Sequence, residues 1–168
     1  MSSFIWLKRL TIFTVLFFLI DFGISTVLLT GLNKYFGLHS NAKIVLNGSS
    51  MSLAGFNKAK IETATNKSVA FYSRNGVSLE DRKTMLEHYF NTTTQKTDVV
   101  VLEVNPLLFS KRFTAANVYM LFLPFMDDPA MDKFIKSKTT FKDYCVRKLI
   151  RTSRYNLDLF SLSLKGYI

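Results

Sequence analysis

Apolar positions along this chain follow three different patterns, and each predicts a different kind of element. Residues 10–32 form an almost unbroken apolar run whose one charge is Asp21. A helix of that length spans about 35 Å, enough to cross a hydrocarbon core of roughly 30 Å with some tilt. The run leaves through Leu29-Thr-Gly-Leu-Asn33, which lacks the small-x-small exit of a cleaved signal peptide, so an uncleaved anchor is expected. Asp21 near the middle of that run reads in two ways. It meets a partner or a wet cavity, or it caps a break before Gly23 and Ser25 with the span displaced.

Beyond the run the period changes. Residues 43–47, 68–73 and 98–104 are short apolar segments, the last of them Asp98-Val-Val-Val-Leu-Glu-Val104, which is β-branched and nearly continuous like a strand buried on both faces. Polar stretches with helix signals separate the three. A Ser-led start covers 50–56. Ser78 with Asp81 three residues later approximates a capping box, and Leu79, Leu86, Tyr89 and Phe90 supply the apolar face of the helix that follows. Strand and helix alternating at this spacing predict parallel pairing in an α/β layer, although three strands make only a partial sheet. After Pro106 the pattern turns helical, including 133–137 and 141–155. Residues 118–126 are nine apolar positions containing Pro124, too short to span a membrane; buried core is the expected fate, the alternative being a surface or interfacial segment that docks to lipid or a partner. The expected organisation is an anchor over 1–33, a connector over 34–42 and an α/β module over 43–168.

Charge adds orientation and partners. Lys plus Arg number 22 against 12 acidic residues, a net charge of +10. Lys8 and Arg9 precede the apolar run and Lys34 follows it, which favours a cytoplasmic N-terminus and an extracytoplasmic module in a single-pass cytoplasmic-membrane protein. The basic excess collects late, at Lys133, Lys136, Lys138, Lys142, Arg147, Lys148, Arg151 and Arg154. In a tethered protein that suits anionic lipid headgroups or an anionic surface polymer, with a solvated basic face as the plainer reading. Nucleic acid is the weaker partner, because no recognised binding motif accompanies the charge. Cys145 alone excludes an intramolecular disulfide, and with only His39 and His88 neither a metal centre nor a cofactor is expected.

The chemistry-bearing residues stand where the strands end. Gly48-Ser49-Ser50 follows the first, Asn75-Gly76 the second and Asn105 the third. In an open parallel sheet those ends converge on the ligand crevice. A serine hydroxyl, a glycine N–H and an asparagine amide are the parts of an oxyanion hole around a nucleophile. The plainer alternatives are that Ser49 or Ser50 caps the next helix and that Asn105 is a turn residue before Pro106.

These three blocks, in this order, resemble the SGNH/GDSL hydrolase superfamily, in particular its membrane-anchored branch associated with acylation of cell-surface polymers. The resemblance runs from the apolar run to about Leu108. It implies a flavodoxin-like sheet, Ser50 as nucleophile, and Gly76 and Asn105 as oxyanion donors. The chain departs from the family at two points. The third block reads Glu103-Val-Asn-Pro106, so it matches through its asparagine alone, and the family's Asp-x-x-His base motif is absent. His88 is read as an ordinary helix-surface histidine. The expected function is therefore an SGNH-like module, incomplete and inactive alone, related to esterases or acyltransferases acting on surface glycans or lipids. The alternative is a non-catalytic assembly or binding subunit that meets a partner in the membrane and lipid or polymer through its basic tail.

Overall fold

The computed structural model describes residues 2–104, 106 and 118–168. The apolar run forms one uninterrupted helix, α1 (Ser2–Phe36), and it is the one described helix long and apolar enough to cross a membrane. Helix α1 has two regimes. From Ile5 to Ile20 every side chain is exposed. From Asp21 onward one face is covered, at Asp21, Ser25, Leu28, Leu32 and Phe36. Steps of three and four keep those residues on one stripe of a helix. The far end of α1 thus belongs to the core of the module, and the helix runs on through the first residues beyond 33.

The sheet is parallel with order β2-β1-β3, built from β1 (Ile44–Gly48), β2 (Val69–Ser73) and β3 (Val99–Leu102). Ile44 pairs with Val69 on one side and Val99 on the other, and the register holds to Gly48 opposite Ser73. Helices α2 (Ser50–Gly55) and α3 (Lys58–Thr65) join β1 to β2, and α4 (Leu79–Thr92) joins β2 to β3. Alternation along the strands separates two apolar faces. Ile44, Leu46 and Val69 pack with Ile61 of α3, whereas Val45, Ala70 and Tyr72 pack with Phe36, Met85 and Tyr89. The Ser78–Asp81 capping box forms in both directions at the start of α4. Gly76, at φ +74°, takes the left-handed position that this turn requires.

Two expectations about these elements are corrected. The inward face of α4 is Asp81, Arg82, Met85, His88 and Tyr89, whereas Leu79 and Phe90 are exposed. Buried polar partners for Arg82 and His88, described below, turn the helix away from its apolar stripe. Among the described residues β3 lies at a sheet edge, with Val99, Val100 and Leu102 exposed, so its continuous apolar pattern does not mark a strand covered on both faces.

Residues 118–126 do enter the core. A 3-10 helix covers Val118–Phe125, with Phe122, Leu123, Phe125 and Met126 buried. Asp128 caps α5 (Pro129–Lys138) through the N–H groups of Ala130 and Met131. The helix expected over 141–155 is broken, into α6 (Phe141–Leu149) and a 3-10 turn Arg151–Arg154. The break has a cause 130 residues away. The Arg151 and Thr152 N–H groups donate to the Asp21 carboxylate at 2.8 and 2.9 Å, and the Thr152 hydroxyl donates to it as well. Asp21 therefore caps no break in its own helix. It receives the orphan amides at the start of another segment, where helical geometry leaves N–H groups without internal partners.

The last helix, α7 (Leu157–Lys165), continues this seam. Tyr155 donates to the Ser25 carbonyl at 3.1 Å and Tyr167 to that of Val27 at 2.6 Å. Backbones meet where α7 crosses α1: a Cβ at Gly31 would overlap the Ser163 carbonyl, and one at Gly166 would overlap that of Gly31. Asp21→Asn replaces an acceptor by an amide that presents protons to the same donors. We expect it to cost about 2 kcal/mol, roughly a thirtyfold larger open population of the 3-10 turn. Tryptic cleavage after Arg151 and Arg154 in detergent measures that opening.

Candidate functional site

Strands β1 and β2 end side by side, and the Arg74 N–H donates to the Gly48 carbonyl at 3.1 Å. On the other side of β1 the Glu103 N–H donates to the Asn47 carbonyl at 3.1 Å, which extends β3 by one residue. The crevice between β1 and β3 is where the chain leaves β1 for opposite neighbours, the switch-point position of an open α/β sheet. It is filled by the carboxylate of Glu103.

Among the described residues that carboxylate is bound from two elements, the start of α2 and α4. The Ser49 N–H donates to Oε2 at 2.8 Å and its hydroxyl to Oε1 at 2.8 Å. The Ser52 N–H and hydroxyl donate to Oε2 at 3.0 and 2.6 Å. From α4, Arg82 donates through one guanidinium nitrogen to Oε1 at 3.1 Å and through the other to the Glu103 carbonyl oxygen. Arg82 is 1% exposed. Charged hydrogen bonds of this kind offset the cost of taking both ions out of water. Gly48 makes the approach feasible, because a Cβ there would overlap Ser52 Oγ and lie 2.7 Å from Glu103 Oε2. Ser49 is also the N-cap of α2, accepting from Met51 N.

The three residues expected to form the site are placed as follows. Ser50 is the first residue of α2 and is exposed; the hydroxyls that meet the carboxylate are those of Ser49 and Ser52. Gly76 is exposed in the turn after β2, at the same carboxyl edge of the sheet. Asn105 lies outside the described residues. Glu103, Arg82 and Ser52 were missed by the sequence reading. The available signal was a charged residue, Glu103, inside an otherwise apolar strand end.

Both histidines stand away from that edge. His39 lies in the turn between α1 and β1, at the amino end of the sheet. His88 is not a surface residue: it is 3% exposed, shares a 3.0 Å hydrogen bond between Nδ1 and Tyr72 Oη, and stacks 4.7 Å from the Phe125 ring. Burial pushes its pKa down to about 4, against an upward pull from Asp128, with His39 adding to the depression. Burial likewise raises the Tyr72 phenol well above its ordinary range. The pair is neutral, and it belongs to the core.

Part of the late basic run is used internally. Arg154, 2% exposed, meets Asp127 at 3.0 Å; Arg151 and Lys148 approach the same carboxylate at 3.7 and 3.9 Å, and Lys148 meets Asp132 at 2.7 Å. Burial works to raise the Asp127 carboxyl, but the hydrogen bond and charge of Arg154, with Arg151 and Lys148, hold it below the usual range. Among the described residues no group of three His, Cys, Asp or Glu side chains gathers as metal ligands.

Fold and site together define a class, a small parallel α/β module carried on one long apolar helix. No family model, no curated protein and no solved structure matches the chain.

Arg82→Met removes the cation of a buried pair and two hydrogen bonds to Glu103, and should cost about 3 kcal/mol in chemical unfolding. His88 supplies a pH dependence. Its folded value of about 4 lies below its ordinary 6.5, so between those values only the unfolded chain takes up the proton. Stability is then complete above pH 6.5 and falls as the pH drops, by about 1.4 kcal/mol per unit and roughly 3 kcal/mol by pH 4. Unfolding curves across that interval, with His88→Gln flattening the slope, measure it.

Proposed function

We propose that this chain is a single-pass membrane protein whose α/β module is non-catalytic and serves in assembly or binding at the membrane surface. The module is related, on this reading, to the SGNH-type esterases and acyltransferases of surface glycans or lipids, and Ser50, Gly76 and Asn105 mark that ancestry. The observation that carries the proposal is the Glu103 carboxylate, seated at the end of β1 and held by Ser49, Ser52 and Arg82. An anion already fills the position where a catalytic crevice would receive the developing charge of a substrate. A carboxylate has about four acceptor sites, and five donors converge on this one, so little of its basicity is left for activating a hydroxyl. His88, neutral and engaged with Tyr72, supplies no base either.

Anchoring follows from α1, exposed on all sides over its first half. Lys8 and Arg9 at the N-terminal end of the span favour an N-terminus in the cytoplasm and a module outside the cytoplasmic membrane. An assembly role is also supported by β3, an edge strand with exposed valines, which could accept a partner's strand by β-augmentation.

Two measurements test the proposal. A fluorophosphonate probe applied to the full chain should leave it unlabelled; labelling that Ser50→Ala abolishes would overturn the non-catalytic reading. Alkaline carbonate washing should leave the chain in the membrane pellet, and its release would overturn the anchor.

A further inference from the structure

The seam between α1 and the C-terminal segment has an outer side. On α6, Phe141, Cys145 and Leu149 are exposed at intervals of four, with Lys142 among them. On α7, Leu159, Ser163 and Gly166 lie toward α1, while Leu157, Phe160 and Leu164 are exposed on the opposite face. Both helices are short; α7 is covered on one side and apolar on the other, and α6, none of whose residues is buried, exposes an apolar stripe, as helices that lie in a membrane interface do. The residues nearest the 3-10 turn are among the most exposed, Leu149 at 62% and Leu157 at 87%.

The Asp21 clamp fixes where these faces sit along α1. Ile5 to Ile24 is twenty residues of α1, about 30 Å and the thickness of a hydrocarbon core. Lys8 and Arg9 then extend back toward the near interface from within the first turns. Asp21 falls one turn before the far boundary, and Arg151 and Thr152 are bound to it there. The Arg151 guanidinium lies 4.9 Å over the Phe22 ring. A groove of about 360 Å³ runs along α1 from Asp21 and Thr152 past Ile20 and Phe17 to Phe13, so the 3-10 turn borders the exposed apolar surface of the span. Lys142 on α6 and Lys165 on α7 are exposed, as are the carboxylates Asp143 and Asp158 on the same helices.

We infer that α6, the 3-10 turn and α7 form a collar that lies in the headgroup region of an anionic membrane where α1 emerges. Leu149 and Leu157 enter the acyl boundary, and Lys142 and Lys165 meet lipid phosphates. The occupant is lipid because the turn between these faces is bound to α1 at the end of the span, and exposed lysines accompany them. The inference rests on the reading of α1 as a membrane span.

Cys145, exposed and the one cysteine of the chain, reports on it directly. The full chain carries bimane at Cys145, or at Leu157→Cys in a Cys145→Ser background. It is reconstituted in phosphatidylcholine vesicles with or without phosphatidylglycerol. Both labels should be quenched by lipids spin-labelled near the headgroup more than by lipids labelled deep in the chain, and by about twofold more when phosphatidylglycerol is present. Lys142→Glu with Lys165→Glu should remove that difference; its persistence would overturn the charge contacts. A label at Leu16→Cys, in the same Cys145→Ser background, separates the two readings. Deep quenching at 16 with water-like emission and no quenching at 145 and 157 overturns the collar alone, whereas no quenching at 16 overturns the span and the collar together. Labels at 145 and 157 shielded from water in detergent and vesicles alike, without lipid quenching, would assign the face to a protein partner.

Discussion

A carboxylate on an apolar helix has to be given donors, and here they come from the opposite end of the chain. Asp21 accepts from two backbone N–H groups and a hydroxyl of the segment Arg151–Thr152. Left without them it would be a charge beside hydrocarbon, which costs several kcal/mol. Satisfying it has structural consequences on both sides. It ends the helical course of α6, because the amides of Arg151 and Thr152 are directed to Asp21 rather than to carbonyls of the preceding turn. It also sets the start of α7, whose Ser163 and Gly166 then meet Gly31 backbone to backbone. Beyond that crossing Leu32 and Phe36 are free to join the core with Tyr72 and Phe125. Helix α1 and the module are thus one packed unit, and the position of the module along α1 is fixed by a polar contact.

The crevice at the end of β1 follows the same rule with a different outcome. Glu103 and Arg82 are both withdrawn from water, and each would be costly alone. Ser49, Ser52 and the first amides of α2 complete the carboxylate's hydrogen bonding, and Gly48 leaves room for it. The features that made the segment read as a nucleophile site are all present: glycine after a strand, serines at a helix start, free N–H groups. They are turned to holding an internal anion. Donors arranged for an oxyanion serve a side-chain carboxylate equally well, since both present negative oxygen to N–H and O–H groups.

What was legible in the sequence is what depends on local pattern. The long apolar run, the three strands, their parallel pairing and the capping box at Ser78 each follow from neighbouring residues and a fixed period. So does the burial of 118–126, because nine apolar residues too short to span a membrane have few other fates. The departures concern buried polar groups whose partners lie far along the chain. Asp21 pairs with a segment 130 residues away, Arg82 with Glu103 and His88 with Tyr72. A helical period assigns His88 and Arg82 to the outside because it weighs only apolarity. Their burial is decided by partners that come within reach only after the sheet has formed.

The same reasoning bears on β3 and α4. With Arg82 and His88 turned inward, the α4 residues that a period count would bury, Leu79 and Phe90, are turned out. They line, with Leu86, Leu102 and Ala130, an open groove of about 940 Å³ beside the edge of β3. Two buried polar contacts thereby leave apolar surface exposed elsewhere on the same helix, and the cost of that exposure scales with its area. An exposed apolar edge strand invites pairing by another chain unless it is covered or charged. The polar interactions that close the crevice at the end of β1 are thus also those that keep the groove open at the side of the sheet. In a module whose serine site is closed by its own Glu103, that groove is apolar surface open to contact with other molecules.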